Sequence, residues 1–138
     1  MILLDTHIWL RWLLKDADPL SEKLVSLIDE ADEVGVSAVS CWEIAYLHKR
    51  NRLELPINIS DWINAALEGS GVRCLSLSNE IAIKAALLPD IHRDPIDRFI
   101  IAEAIVEKIQ LISLDARFPE YSELKPFLIQ PESVFPLI

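Results

Sequence analysis

With 138 residues, 51% of them hydrophobic, the chain has apolar material for one core and too little length for two comfortable domains, so residues 1–138 are expected to form a single domain. Thirteen Lys and Arg against 22 Asp and Glu leave a formal net charge of −9, which excludes a general electrostatic grip on a phosphate backbone unless bound cations neutralise some of the carboxylates. No apolar run approaches the roughly 20 residues of a membrane span, and a mean hydropathy of +0.27 is high for a soluble monomer, as a chain with a partner or self-association surface would show.

Met1 to Leu4 is apolar and ends at Asp5, the pattern of a buried parallel strand whose carboxyl end opens onto a site. That run is far shorter than a leader's hydrophobic region, so a cytoplasmic protein is expected. Thr6 can cap a helix to about Leu14, and Ser21 a second, amphipathic one with Leu24, Val25, Leu27 and Ile28 on its apolar face. Val34 to Ala38 reads as a strand. Ser40 to Glu43 has the form of a capping box opening a helix to about Arg50, and Ser60 begins another that Gly69 and Gly71 stop. Val72 to Leu77 is a third strand and Ser78 to Leu88 a helix closed by Pro89. Asp94 and Pro95 are the cap and first-turn proline of a helix to about Lys108. Gln110 to Leu114 is a fourth strand ending at Asp115, and the tail, punctuated by Pro126, Pro131 and Pro136, has room for at most a short edge strand. Strands alternating with helices imply an α/β fold, a mostly parallel sheet of four or five strands between helical layers.

Ligands of an open parallel sheet sit beyond the carboxyl ends of its strands. Asp5 and Asp115 follow strands there, and Glu43 and Asp97 each fall in the first turn of a helix, so all four can face one cleft. Converging carboxylates repel one another without a cation. Magnesium or manganese prefers such hard oxygen ligands and can activate water for phosphodiester displacement. Plainer roles compete: Glu43 as a capping-box acid, Asp94 as the helix cap itself, Asp97 as a helix-dipole acid and Asp115 as a turn cap. Thr6, Ser40 and Ser113 can serve as auxiliary hydroxyls toward water or phosphate, or simply as caps, and His7 can touch substrate or bond locally.

The densest basic run, His48, Lys49, Arg50 and Arg52, can be a solvated helix end or a phosphate contact, with Arg93, Arg98 and Arg117 nearer the acids. Trp9, Trp12, Trp42 and Trp62 fall at helical spacing among aliphatics and read as core or interface rather than base-stacking platforms. Cys41 and Cys74 have no metal-site spacing and are expected to be two buried, reduced thiols.

Four segments in order, LLDTHIWLRWL, SAVSCWEIAYLHKRNRLEL, HRDPIDRFIIAEAI and LISLDARF, resemble the PIN-domain toxins of bacterial toxin–antitoxin systems, the VapC family, over nearly the whole chain. The resemblance implies a PIN-type α/β/α sandwich and a metal-dependent endoribonuclease that cleaves RNA with water activated by one or two Mg2+ or Mn2+ ions. It also implies a cognate antitoxin partner and a homodimer. Carried over position by position, the family's acids fall on Asp5, Glu43, Asp97 and Asp115, with Asp94 as the first acid of the DPxDR segment; Ile96 stands where an aromatic is common. Two other classes compete. A phosphatase or receiver-like domain would want paired acids or a DxDxT segment at the first strand, where Thr6 and His7 follow Asp5 instead. A catalytically silent protein-binding module would leave the acids dispersed.

Overall fold

The computed structural model describes residues 1–15 and 19–130. Five strands, β1 (Ile2–Leu4), β2 (Val34–Ser37), β3 (Arg73–Leu75), β4 (Gln110–Ile112) and β5 (Leu128–Ile129), form one sheet in the order β3-β2-β1-β4-β5. Every pairing is parallel. Among the described residues six α-helices connect and flank them: α1 (Thr6–Leu14), α2 (Glu22–Glu30), α3 (Ala38–Lys49), α4 (Ile59–Ser70), α5 (Asn79–Leu87) and α6 (Pro95–Glu107). Two 3-10 turns, Phe118–Glu120 and Lys125–Phe127, lead from β4 to β5. The short edge strand expected of the tail is β5, whereas Pro131 and Pro136 lie outside the described residues.

The run Ile2-Leu3-Leu4 is apolar throughout because its strand is covered on both faces. Leu3 and Leu111 point into a core shared with α5, α6 and the buried rings of Phe118 and Tyr121. Ile2, Leu4, Val36 and Ile112 point the other way, toward Ile8 and Trp9 of α1, Leu24 and Ile28 of α2, and Ile44 of α3. Two cores on opposite faces of one sheet make the expected α/β/α sandwich. The first strand is central: the chain builds outward through β2 to β3, then crosses back to add β4 and β5 on the other side. Strand order therefore reverses at β1 and β4, and a crevice opens beyond their carboxyl ends.

Ser21, Ser78 and Asp94 cap α2, α5 and α6 as expected. Three helix starts are corrected. Asp5, not Thr6, caps α1, accepting from the Thr6 N–H. Ser37, not Ser40, caps α3, because β2 hands over to the helix with no intervening loop. Ser40 and Glu43 thus lie inside the helix and form no capping box. Asn58, not Ser60, caps α4, its side chain accepting from Asp61 N–H. Gly71 ends that helix at φ +68°, a left-handed conformation that suits glycine.

The cysteine expectation is also corrected. Cys74 is exposed on β3, at the sheet edge where no further strand covers it, and Cys41 on α3 is only partly buried. Both are free thiols, their sulfurs 4.0 Å apart. Trp9 is fully buried, and Trp12 and Trp62 pack partly buried against the same core. Trp42 belongs to neither core and is 55% exposed. Among the described residues no helix is long and apolar enough to cross a membrane.

Candidate active site

Asp5 sits where β1 becomes α1, almost fully buried, and every hydrogen bond around it comes from a neighbouring strand end or helix start. Its Oδ1 accepts from the Thr6 N–H at 2.8 Å, and its Oδ2 from the Ser113 hydroxyl at 2.7 Å. Ser113 follows β4 and also accepts from the Asp115 N–H at 3.1 Å, tying the ends of β1 and β4 together. His7 completes the clamp. The Leu114 N–H donates to its Nε2 at 3.2 Å, which leaves the proton of a neutral ring on Nδ1, facing Asp5 Oδ2 at 3.2 Å. Of the two roles open to His7, local hydrogen bonding is the one its geometry displays.

Asp115 is held by the Arg117 N–H at its Oδ1, 2.8 Å, and by His92 Nε2 at its Oδ2, 3.0 Å. His92 is a buried residue that sequence reasoning passed over. Its N–H donates to the Tyr121 hydroxyl at 3.0 Å, and that hydroxyl lies 2.8 Å from His92 Nδ1, to which it can donate. The imidazole then carries its proton on Nε2, aimed at Asp115. Asp97, in the first turn of α6, has its Oδ2 4.0 Å from the same Nε2. Potential ligand atoms of His92, Asp97 and Asp115 all lie within 4.8 Å of one another. The only available clue was its place in the segment His92-Arg93-Asp94-Pro95, two residues before the cap; Tyr121 offered none.

Glu43 enters from α3, in its second turn, and receives a side-chain hydrogen bond from Thr6, whose hydroxyl lies 2.8 Å from that of buried Ser40. Asp5, Thr6, His7, Glu43 and Asp97, with Leu10 and Leu47, line one small cavity of about 100 Å³. Three elements thus deliver three acids to one cavity, and Asp115 adjoins it through its grouping with Asp97 and His92. The electrostatics register it: burial, then the charges of Asp5, Asp94, Asp115 and Glu43, push Asp97 up to about 7. Burial also raises Glu43, where the Thr6 bond opposes and Asp5 and Asp94 reinforce the shift. Asp5 is raised by burial against the opposing effects of His7, Ser113 and Thr6. Asp94 is exposed and caps α6, its Oδ1 accepting from Ile96 N–H at 2.9 Å.

Lys49, Arg50, Arg52 and Arg93 are exposed. Arg98 is not available as a substrate contact, which corrects that expectation. Its guanidinium donates to the carbonyls of Ala85, Ala86, Leu88, Pro89 and His92, using all five donors on the C-terminal end of α5 and the loop after it. Orphan carbonyls at a helix end attract a cation for a structural reason.

The PIN-domain family model matches residues 2–124. Ribonuclease VapC22 of Mycobacterium tuberculosis is 32% identical over 131 residues, covering 93% of this chain and 97% of that one. Among solved structures, VapBC2 from Rickettsia felis bound to a promoter DNA fragment matches with a TM-score of 0.68 at 19% identity, over 94% of this chain and 98% of that one. A toxin–antitoxin complex from Klebsiella pneumoniae matches at 0.64 and 19%, over 94% and 96%. These structural matches are too distant in sequence to speak for more than the fold. The family match over most of the chain, the full-length relative and the shared fold agree, and the chain belongs to the PIN-domain family, in its VapC branch.

Proposed function

We propose that this protein is a magnesium- or manganese-dependent endoribonuclease of the cytoplasm, the toxin of a toxin–antitoxin pair. The observation that carries the reading is the meeting of Asp5, Glu43 and Asp97 around one cavity, with Asp115 beside Asp97 through their shared neighbour His92, where burial and mutual repulsion raise Asp97 to about 7. Capping accounts for one oxygen of Asp5 and one of Asp115 but not for Glu43 or Asp97 beside them. A set dominated by hard carboxylate oxygens, with Asp5, Glu43 and Asp115 already oriented by neighbouring donors, fits one or two hard divalent cations. Asp5, Asp97 and Asp115, with Glu43, would hold the metal. When bound, such an ion activates water and offsets charge on the phosphate oxygens.

The chain's own groups prepare that site. Ser113, Thr6 and His7 fix the plane of Asp5, and His92, steadied by Tyr121, fixes Asp115. Ser40 and Thr6 do the same for Glu43. Lys49, Arg50, Arg52 and Arg93, all exposed, supply contacts to the RNA backbone that the net charge of −9 otherwise denies. An antitoxin partner is supported by the solved relatives, which include toxin–antitoxin complexes, and a homodimer is what the sequence resemblance implies.

The test is cleavage of RNA by purified protein. EDTA should stop it and Mg2+ or Mn2+ restore it. Asp5→Asn and Asp97→Asn should lose more than the roughly 10- to 100-fold that removal of a ligand-orienting residue costs, and His92→Ala should fall within that smaller range. Metal-independent cleavage, or full activity in either aspartate variant, would overturn the reading.

A further inference from the structure

Beside the acidic cavity lies a larger cleft of about 790 Å³, lined by Trp42, Glu43, Tyr46, Leu47, Arg50, Arg52, Asp94, Pro95 and Ile96. Glu43 and Leu47 line both, so the two spaces adjoin along α3. One wall of the cleft is a ladder along α3. The Trp42 and Tyr46 rings stack in parallel, with centroids 4.9 Å apart and planes 9° from each other. The Arg50 guanidinium carbon lies 5.2 Å from the Tyr46 ring centroid, and Arg50 Nε donates to the Tyr46 hydroxyl at 3.0 Å. Spacing of four residues puts all three on one helix face. Trp42 is 55% and Tyr46 38% exposed, although the fold has two cores in which aromatic rings could be buried.

Such a ladder is preorganised. Tyr46 braces one face of the indole, Arg50 braces Tyr46, and the indole is left largely uncovered immediately before Glu43 in the chain. A scissile phosphate held by the acids must bring its neighbouring nucleotide alongside. An unpaired base offers the flat π face that an open indole accepts, while its phosphates are attracted by Arg50 and Arg52 in a chain that is otherwise strongly acidic. Bases within a duplex are already stacked and cannot use the platform.

We propose that Trp42, braced by Tyr46 and Arg50, is a base-stacking platform that receives an unpaired nucleobase of single-stranded RNA next to the scissile phosphate. This rests on the ribonuclease reading, and it reverses the expectation that the tryptophans serve only core or interface. Specificity for unpaired RNA then resides in the binding cleft and not in the acids.

The test measures binding by fluorescence anisotropy with Asp97→Asn protein, Mg2+ and a labelled 12-nucleotide RNA, its abasic analogue and a duplex of the same sequence. Trp42→Ala in this background should weaken binding of the single strand by about 10- to 100-fold. Trp42→Phe should restore most of it, and the abasic strand should bind the Trp42→Ala and Trp42 proteins alike. An exposed position makes misfolding an unsuitable explanation, which a matching far-ultraviolet spectrum checks. Unchanged single-strand affinity in Trp42→Ala overturns the proposal. So does an unchanged affinity accompanied by a lower sedimentation mass, which would assign this face to a second copy of the chain, or by loss of protein partner binding. Failure of the ribonuclease reading looks different: the unsubstituted protein would then leave the RNA uncut in Mg2+ or Mn2+, whatever Trp42→Ala does to affinity.

Discussion

Glu103 lies on α6 away from the acidic cavity, fully buried, and the Ser37 side chain gives its carboxylate only weak hydrogen-bonding support. Burial pushes it up to about 7, with Glu107 adding to the shift and Ser37 opposing it. The unfolded chain titrates this group near 4.5, so the folded state binds the proton more tightly. That stabilisation is complete below the unfolded value and is lost as pH rises through about 7. Asp97, also pushed up to about 7, has the same sign. Metal-free protein in EDTA should therefore show a urea midpoint that falls between pH 5.5 and 8. Glu103→Met should flatten this slope and gain on the order of 1–3 kcal/mol at pH 8. A midpoint that rises across this window would contradict the assignment. At this same scale the proximity of Asp5 and Asp97 was legible in the sequence, because acids just beyond an apolar parallel strand or in the first turn of a helix fall at the same edge of the sheet. Glu103, His92 and Tyr121 were not. A carboxylate in an apolar helix and two polar groups in different loops acquire their roles only from what the fold places beside them.

Arg98 shows how one side chain can organise two elements. Helix α5 ends without a side-chain cap, and the guanidinium reaches from α6 to collect its last carbonyls and those of the following loop. That clasp positions the loop bearing His92, and so, through Asp115, the edge of the cavity. Arg98→Ala should lower stability by about 2–4 kcal/mol, and Arg98→Lys should recover only a small part, since an ammonium cannot spread five donors in a plane. Equal midpoints of denaturant unfolding for Arg98→Ala and the parent would remove this role. Charge near acids suggested substrate contact from sequence, because the carbonyls that engage Arg98 are invisible until α5 and α6 pack. Helix existence was legible from apolar spacing and capping residues, whereas three starting positions were not. Ser40 and Glu43 have capping-box spacing, but the direct passage from β2 puts the cap at Ser37. Local spacing cannot reveal how tightly a strand turns into its helix.

For the whole molecule, the alternation of buried strands with amphipathic helices made the sandwich legible, and the crossover that places β1 in the centre follows from parallel pairing on both its sides. Pairing partners are long-range information: β4 comes from beyond residue 109 and β5 from the 3-10 segment after it. A fragment ending at Lys108 lacks both, exposing one side of β1 and removing Leu111, Phe118, Tyr121 and Leu124 from a core. It should show no cooperative urea transition, and a sigmoidal one with native steepness would contradict the account of the sheet.

Asp5 and Ser113 are bonded across 108 positions of sequence. During synthesis at roughly 5–20 residues per second, the first carboxylate therefore leaves the ribosome several seconds before the strand that completes its surroundings. Prematurely terminated translation products carry the acids of the N-terminal half but no enclosure to concentrate them. A cell making this chain consequently meets an enclosed set of acids only after the strand preceding Ser113 has been made.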